Sequence, residues 1–329
     1  MSTTTARPMR VGAVRRWDAG RITRVVFMTF VALVFLYPLV GFFTVALRSD
    51  AGVAGNTGGF LGLGGISWDG IQHSWNAIIA YGGLDTPHVY LTWLGNTVFV
   101  AVVGGILALI AALPSGYALA RLQFRFQRLI LIVTLLAMVM PNTVLVIPLF
   151  LEVNAVNAVG ELWPVAIIMG FFPFGVYLSY IHFRTAMPHE LLEAARIDGL
   201  GEIAIFLRIA LPISKQAVAL VAFFSFVANW TNFFLPLALL TSSFGTQTIS
   251  VGIQSLISSS PLFNPTAAAG TPIKLYMPEL ALATAISTIP LLIVFIVAQR
   301  FLIRGQTVGA VKGYIPGVSR IRACGGVHP

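Results

Sequence analysis

Charge is scarce in this sequence. Of its 329 residues only 9% are Asp, Glu, Lys or Arg, whereas 57% are hydrophobic, and the mean hydropathy is +0.88. A soluble globular domain holds roughly 45–50% apolar and about 25% charged residues. So few charged side chains cannot cover a surface that faces water. The composition therefore predicts an integral membrane protein.

Cysteine, lysine and histidine are also rare. Cys324 is the only cysteine, which excludes a disulfide within the chain. The three lysines follow Ser214, Ile273 and Val311, so the Gly-Lys-Ser/Thr run of a phosphate-binding loop is absent. His73 has no second ligand at the spacing of a metal site. We therefore expect no catalytic residue, no cofactor site and no metal site in this chain.

Six windows without any charged residue are long enough to cross a bilayer, whose core of roughly 30 Å needs about 20 helical residues. They are residues 25–47, 91–120, 129–151, 162–181, 216–242 and 280–299. Pro141 and Pro148 disfavour a regular helix at one end of the third window. The expected fold class is all-α and integral to the membrane, with six transmembrane helices.

Basic residues alternate in abundance between the connections. With a cytoplasmic N-terminus, the segments on the cytoplasmic side hold 18 of the 20 Lys and Arg residues; they are 1–24, 121–128, 182–215 and 300–329. This asymmetry follows the positive-inside rule and places both termini in the cytoplasm. The net charge of +9 is thus explained by topology and contact with anionic lipid, and it gives no support for nucleic-acid binding. Arg121, Arg125 and Arg128 are interpreted as lipid-facing markers of this topology.

A polar stretch at residues 188–212 interrupts the apolar windows. It places six ionisable residues within the fourteen positions from His189 to Glu202. Pro188 suits the first position of a helix, and Gly199 suits the left-handed residue that closes one. A helix of about three turns is marginal by itself in water. We therefore expect this helix to dock against another surface.

The same stretch carries a family pattern. Glu193-Ala194-Ala195, followed by Asp198-Gly199 and then Leu211-Pro212, resembles the EAA loop of membrane subunits in ATP-binding-cassette (ABC) importers. The resemblance is to the carbohydrate-uptake branch, typified by the G-type permease of maltose transporters. The Tyr-Ala-Leu-Ala-Arg run ending at Arg121 and the Gly-Ala-Val-Lys-Gly run at 309–313 are also similar to that family. The resemblance covers about residues 90–313.

The resemblance implies a type I importer permease fold with the polar stretch in a cytoplasmic coupling loop. Its implied divisions are a cytoplasmic segment 1–24, a first transmembrane helix 25–47, an extracytoplasmic loop 48–90, a permease core 91–313 with the coupling loop at 184–215, and an extension 314–329 without an assigned role. It implies that the residues coupling the chain to an ATPase are Glu193, Ala194, Ala195, Asp198 and Gly199.

The resemblance also implies the partners. They are an ATPase dimer that binds ATP and Mg²⁺, a second permease of the F type, and an extracytoplasmic solute-binding protein whose cleft receives the loop 243–279. The sequence departs from the family at Lys215-Gln216, where many members have a proline. It also has Thr231-Asn232 where the family has Asn followed by an acidic residue.

Three asparagines are candidates for the translocation path. Irregular backbone near Asn142 must line water or be buried in protein. Asn229 and Asn232 are three residues apart and are predicted to share a helix face. Packing between helices explains the same residues, and on that alternative Asn229→Leu leaves uptake nearly intact.

The expected function is that of a permease subunit in an ATP-driven sugar importer of the cell membrane. An ABC permease for a polyol or glycerol phosphate is the first alternative. A secondary transporter, a channel or an intramembrane enzyme needs ionisable residues inside its spans, and the six windows hold none. A boundary charge found at membrane depth would revive these classes.

Overall fold

The computed structural model of the protein describes residues 19–49, 66–82, 87–241, 243–266 and 275–310. Of the expected N-terminal segment 1–24, residues 1–18 lie outside the described residues. The expected extension 314–329 lies wholly outside them. Parts of the two long connections, 50–65, 83–86 and 267–274, are outside as well.

The described chain is built from helices joined by turns. In chain order they are α1 (Ala19–Ala46), α2 (Trp68–Ala80), α3 (Val89–Arg121), α4 (Gln127–Val139), α5 (Val146–Ala155), α6 (Leu162–Met169), α7 (Pro173–Ala186), α8 (His189–Ile197), α9 (Glu202–Ile205), α10 (Leu211–Ile213), α11 (Lys215–Trp230), α12 (Phe234–Leu240), α13 (Ile249–Ser259) and α14 (Met277–Ala310). The all-α prediction is confirmed for these residues.

Several of these helices can span a membrane. Within the described residues, four are long and apolar enough, or up to six if each bent pair counts as one span. The continuous helices α1, α3 and α14 are three of the four, and α6 with α7 makes the fourth. One bent pair joins α4 to residues 142–155 at 96°, and the other joins residues 202–213 to α11 at 81°. The six predicted spans correspond to the upper count, so the exact number of spans and their orientation both stay predictions.

Three of the predicted spans are interrupted. The third breaks at Met140-Pro141 and continues through a 3₁₀ turn, Asn142–Leu145. The fourth breaks at residues 170–172, just before Pro173, and the fifth at residues 231–233. The residue before a proline disfavours helical backbone, which explains the breaks next to Pro141 and Pro173. The fifth window is therefore not the continuous helix that its lack of charge suggests.

Helix α3 is the centre of the bundle and packs against α6, α7 and α11. Small residues permit this close approach. A Cβ atom on Gly116 would lie 2.4 Å from the Ser179 Cβ atom of α7. A Cβ atom on Gly104 would lie 2.8 Å from the Asn229 Nδ2 atom of α11.

The bundle end that carries α2 and α13 is here named the cap end. Helix α2 lies inside the stretch 48–90, which was expected to be a loop, and the Ser67 side chain caps it by accepting a 3.0 Å hydrogen bond from the Gly70 N–H. The carboxylate of Glu279, in the first turn of α14, is 1% exposed and accepts hydrogen bonds from the Tyr276 N–H at 2.8 Å and the Ser74 hydroxyl at 3.4 Å. This boundary charge thus joins α2 to α14.

Candidate functional site

The polar stretch forms a helix and a closing turn at the opposite end of the bundle, here named the loop end. Helix α8 begins at His189, so Pro188 stands one residue before it, with extended backbone. Gly199 has φ +81°, which confirms the predicted left-handed residue. The Gly199 N–H bonds the Arg196 carbonyl at 3.0 Å, and the Leu200 N–H bonds the Ala195 carbonyl at 3.1 Å. These two bonds are the Schellman motif that closes a helix.

One face of α8 packs on the bundle and the other is exposed. Leu192 and Ala195 are 1% and 4% exposed and belong to a buried cluster with side chains of α3 and α7. The other four predicted coupling residues are exposed; they are Glu193, Ala194, Asp198 and Gly199. The structure therefore separates Ala195, which holds the helix in place, from four residues that a partner can reach.

Two isoleucines add to the exposed face. Ile197 at the end of α8 is 86% exposed, and Ile203 in α9 is 78% exposed. An isoleucine fully transferred out of water gains about 1.5–3 kcal/mol, so a pair this exposed on a polar loop is suited to a protein contact. The sequence reasoning missed both, although apolar side chains within a polar stretch were a usable signal.

The chain returns to the membrane through irregular backbone. After α9 come a π-helix, Phe206–Ala210, and the three-residue α10, and the chain then bends by 81° into α11. The π-helix is rare, occurs mostly as a single turn within an α-helix, and is frequent at functional sites. The bend falls at Ser214, immediately before the Lys215-Gln216 departure from the family pattern.

A charged network ties the two arms of the loop together. The Arg196 Nε–H donates to Glu202 Oε1 at 2.7 Å, and the Tyr117 hydroxyl at the end of α3 donates to Glu202 Oε2 at 3.2 Å. The hydrogen bond to Glu202 raises the pKa of Arg196 above its ordinary value, so this side chain stays a cation. Glu202 thereby contacts both α8 and α3.

The contacts of Arg121 differ from the expectation that this side chain faces lipid. It does not face lipid as a topology marker, because its Nε–H donates to the Phe183 carbonyl at 2.9 Å and a second guanidinium N–H donates to the Met187 carbonyl. Its third contact is with His189 Nε2, at 2.7 Å. A guanidinium only donates, so the His189 Nε2 atom is the acceptor in this contact. Arg125 and Arg128 remain exposed.

A cavity of about 880 Å³ opens where the three interrupted spans meet. Each interrupted span contributes to its wall at or next to its break, through residues 142, 143 and 145, residues 171 and 172, and residues 231–233. Its polar side chains are Asn142, Thr143, Asn229, Thr231 and Asn232. Its aromatic side chains are Phe171, Phe172, Phe174, Phe233 and Phe234. None of the described residues that line it is Asp, Glu, Lys, Arg or His.

The cavity brings together all three asparagines that the sequence suggested, although in different settings. Asn142 is exposed at the first break. Asn229 is 5% exposed, and its Nδ2 atom has no hydrogen-bond partner among the described residues. Asn232 lies beyond the end of α11 and accepts a 3.4 Å bond from the Leu235 N–H. The prediction that Asn229 and Asn232 share a helix face is wrong, because the helix stops between them.

Comparison with known proteins gives the family. A family model described as binding-protein-dependent transport system inner membrane component matches residues 104–308. The chain is 32% identical over 229 residues to the arabinooligosaccharides transport system permease protein AraQ of Halalkalibacterium halodurans, which is 68% of this chain and 75% of that protein. It is 28% identical to the maltodextrin transport system permease protein MdxG of Bacillus subtilis, over 89% of this chain and 97% of that protein.

A solved structure shares the fold. It is the crystal structure of a bacterial ABC transporter involved in the import of the acidic polysaccharide alginate, with a TM-score of 0.68 over 89% of this chain and 99% of that chain. The identity is 23%, so this likeness shows the fold alone. With the family model matching well over half of its residues, the chain belongs to the binding-protein-dependent transport system inner membrane components.

Proposed function

We propose that this chain is a permease subunit of an ATP-driven sugar importer, and that the loop end faces the cytoplasm and docks on an ATPase dimer. The exposed face of α8 and its turn carries the proposal. This face presents Glu193, Ala194, Asp198 and Gly199, flanked by the exposed Ile197. Apolar anchors ringed by polar groups are suited to a specific protein contact.

The energy source lies in the partner. Without a Gly-Lys-Ser/Thr run, this chain leaves ATP and Mg²⁺ to the ATPase dimer. Closure of the dimer moves α8, and the helix bundle rocks between states open to either side. A second permease of the F type completes the path, and an extracytoplasmic solute-binding protein delivers the solute at the cap end.

The solute class follows from the relatives and the cavity. Three of the relatives are named for the transport of arabinooligosaccharides, maltodextrin and trehalose. Amide and hydroxyl side chains beside phenylalanine rings suit the hydroxyls and flat faces of a sugar. The uncharged lining favours a neutral saccharide over glycerol phosphate, because an anion that leaves water is usually paired with a cation and the described lining residues include none. Asn142 and Asn232 are proposed to contact the sugar, with Asn229 deeper in the wall.

Two experiments test the proposal. Purification of the chain with its natural partners should yield a co-eluting ATPase and a binding protein whose bound ligand is a neutral sugar. Labelling of Ile197→Cys, in a chain that also carries Cys324→Ser, should succeed only from the cytoplasmic side. The absence of any ATPase, or labelling from the outside alone, would show that the importer assignment is wrong.

A further inference from the structure

The loop is attached to the bundle on both sides of its turn, and both attachments lead to the end of α3. Before α8, Arg121 bonds the Phe183 and Met187 carbonyls and contacts His189. After the turn, Tyr117 bonds Glu202 at 3.2 Å. These contacts come from residues one helical turn apart on α3, so the attachment is a single clamp.

Aromatic packing reinforces the clamp. The Tyr117 ring lies 5.5 Å from the Phe183 ring of α7 and 5.2 Å from the Phe206 ring, measured between ring centroids. Ile205 and Leu192, one from each arm of the loop, are 0% and 1% exposed in the same cluster. The loop and the ends of α3 and α7 therefore form one packed unit.

The connection to α11 is of a different kind. It consists of the π-helix Phe206–Ala210, the three-residue α10 and the 81° bend at Ser214. Interrupted hydrogen-bond ladders bend more readily than a continuous α-helix. A displacement of the loop therefore reaches α3 through hydrogen bonds and packing. It reaches α11 through irregular backbone and through apolar packing of Val221 in the same buried cluster, without the side-chain hydrogen bonds that tie the loop to α3.

We propose that Tyr117 and Arg121 are positioning residues that make the loop move with α3, and that the Arg196–Glu202 pair holds the two arms of the loop in register for this purpose. This inference rests on the proposed function. Since α3 packs against α6, α7 and α11, its movement changes the walls of the cavity. The side chains of Arg196 and Glu202 are 42% and 39% exposed, and so accessible a pair contributes little to stability. Its role is geometric.

The test uses the complete importer, reconstituted in proteoliposomes with its ATPase and binding protein. Uptake of the binding protein's natural sugar and ATP hydrolysis are measured together for Tyr117→Phe and Glu202→Gln. The sugar imported per ATP hydrolysed should fall roughly 2- to 30-fold, the range expected when a mutation changes coupling between sites. The melting temperature of the permease and the amount of co-purified ATPase should stay as in the unaltered importer.

Two further variants separate positioning from simple loss of a contact. Arg196→Glu should reduce the same ratio. Arg196→Glu combined with Glu202→Arg should restore part of it, because the ion pair is remade in reverse and the Tyr117 hydroxyl can accept a hydrogen bond from the new guanidinium. Tyr177→Phe is the matched control. Its hydroxyl lies on α7 and makes no hydrogen bond to the described residues, so the ratio should not change.

Unchanged sugar per ATP in Tyr117→Phe and Glu202→Gln would overturn the inference while leaving the proposed function intact. Loss of the ATPase from these variants would also overturn it, since the network would then serve assembly. If the unaltered complex binds no ATPase or imports without ATP, the proposed function itself fails, and this inference falls with it.

Discussion

Replacement of Gly199 is the sharpest test of the loop, because its effect is confined to the backbone. Gly199 has φ +81°, and no heavy atom lies within 4 Å of the place where a Cβ atom would be. A side chain there meets no steric obstacle beyond its own backbone. Left-handed backbone costs an L-residue roughly 1–2 kcal/mol, which lowers the population of the closed turn by roughly 5- to 30-fold. A β-branched residue lies at or above the upper end of this range.

We therefore expect Gly199→Val to reduce sugar uptake to background while the protein still inserts in the membrane. Gly199→Asn is the matched control, because asparagine adopts left-handed backbone more readily than other side-chain-bearing residues. It should retain most of the uptake. Uptake is measured in cells that express each variant, with the amount of membrane-inserted protein and of co-purified ATPase measured in parallel.

Two results would refute the reasoning. Normal uptake with Gly199→Val would show that transport does not depend on the closed turn. Equal loss with Val and Asn would show that the exposed glycine surface matters and that its backbone conformation does not.

Three further predictions concern packing and the cavity. Ala195→Leu should overpack the buried face of α8 and destabilise the protein by roughly 1–3 kcal/mol, which lowers the melting temperature in detergent. Ala194→Leu on the exposed face should leave that temperature unchanged. Equal melting temperatures for the two variants would contradict the assigned faces. Gly252→Ala should destabilise the protein by a comparable energy and so lower its melting temperature, because the new Cβ atom would lie 2.1 Å from Trp93 Cε3. An unchanged melting temperature would show that this contact can relax. Asn142→Ala should weaken uptake by raising the half-saturating sugar concentration, with little effect on stability because Asn142 is exposed. Asn229→Leu should leave uptake nearly intact. A larger loss of uptake with Asn229→Leu than with Asn142→Ala would place the sugar at Asn229.

The helical elements could be predicted in large part from local sequence. Windows without charge located the long helices because the cost of placing a charge in hydrocarbon applies to each residue separately. Pro141 indicated the break in the third window for an equally local reason, because proline lacks an N–H and has a fixed φ. The break in the fifth window was not predicted. It lies at residues 231–233, where the sequence between Trp230 and Phe234 contains no proline or glycine.

The loop at 184–215 shows the same contrast between features that local sequence predicts and features that depend on distant contacts. The closing glycine was predictable because a left-handed φ is a property of one residue. The role of Arg121 was not, since charge statistics assign an arginine at a helix end to the membrane surface. Its carbonyl partners, Phe183 and Met187, are 62 and 66 residues away in the chain.

By itself, the sequence determined the helical class, the positions of the apolar helices, the polar helix with its turn at Gly199, and the family pattern around Glu193. Only the tertiary structure decided that Ala195 faces inward while Glu193 faces outward, that Tyr117 and Arg121 clamp the loop, and that three helix breaks meet in one uncharged cavity. The physical reason is the range of the interactions. Hydropathy, proline geometry and glycine conformation act within a few residues, whereas contacts and cavities depend on segments that meet only after the bundle has packed.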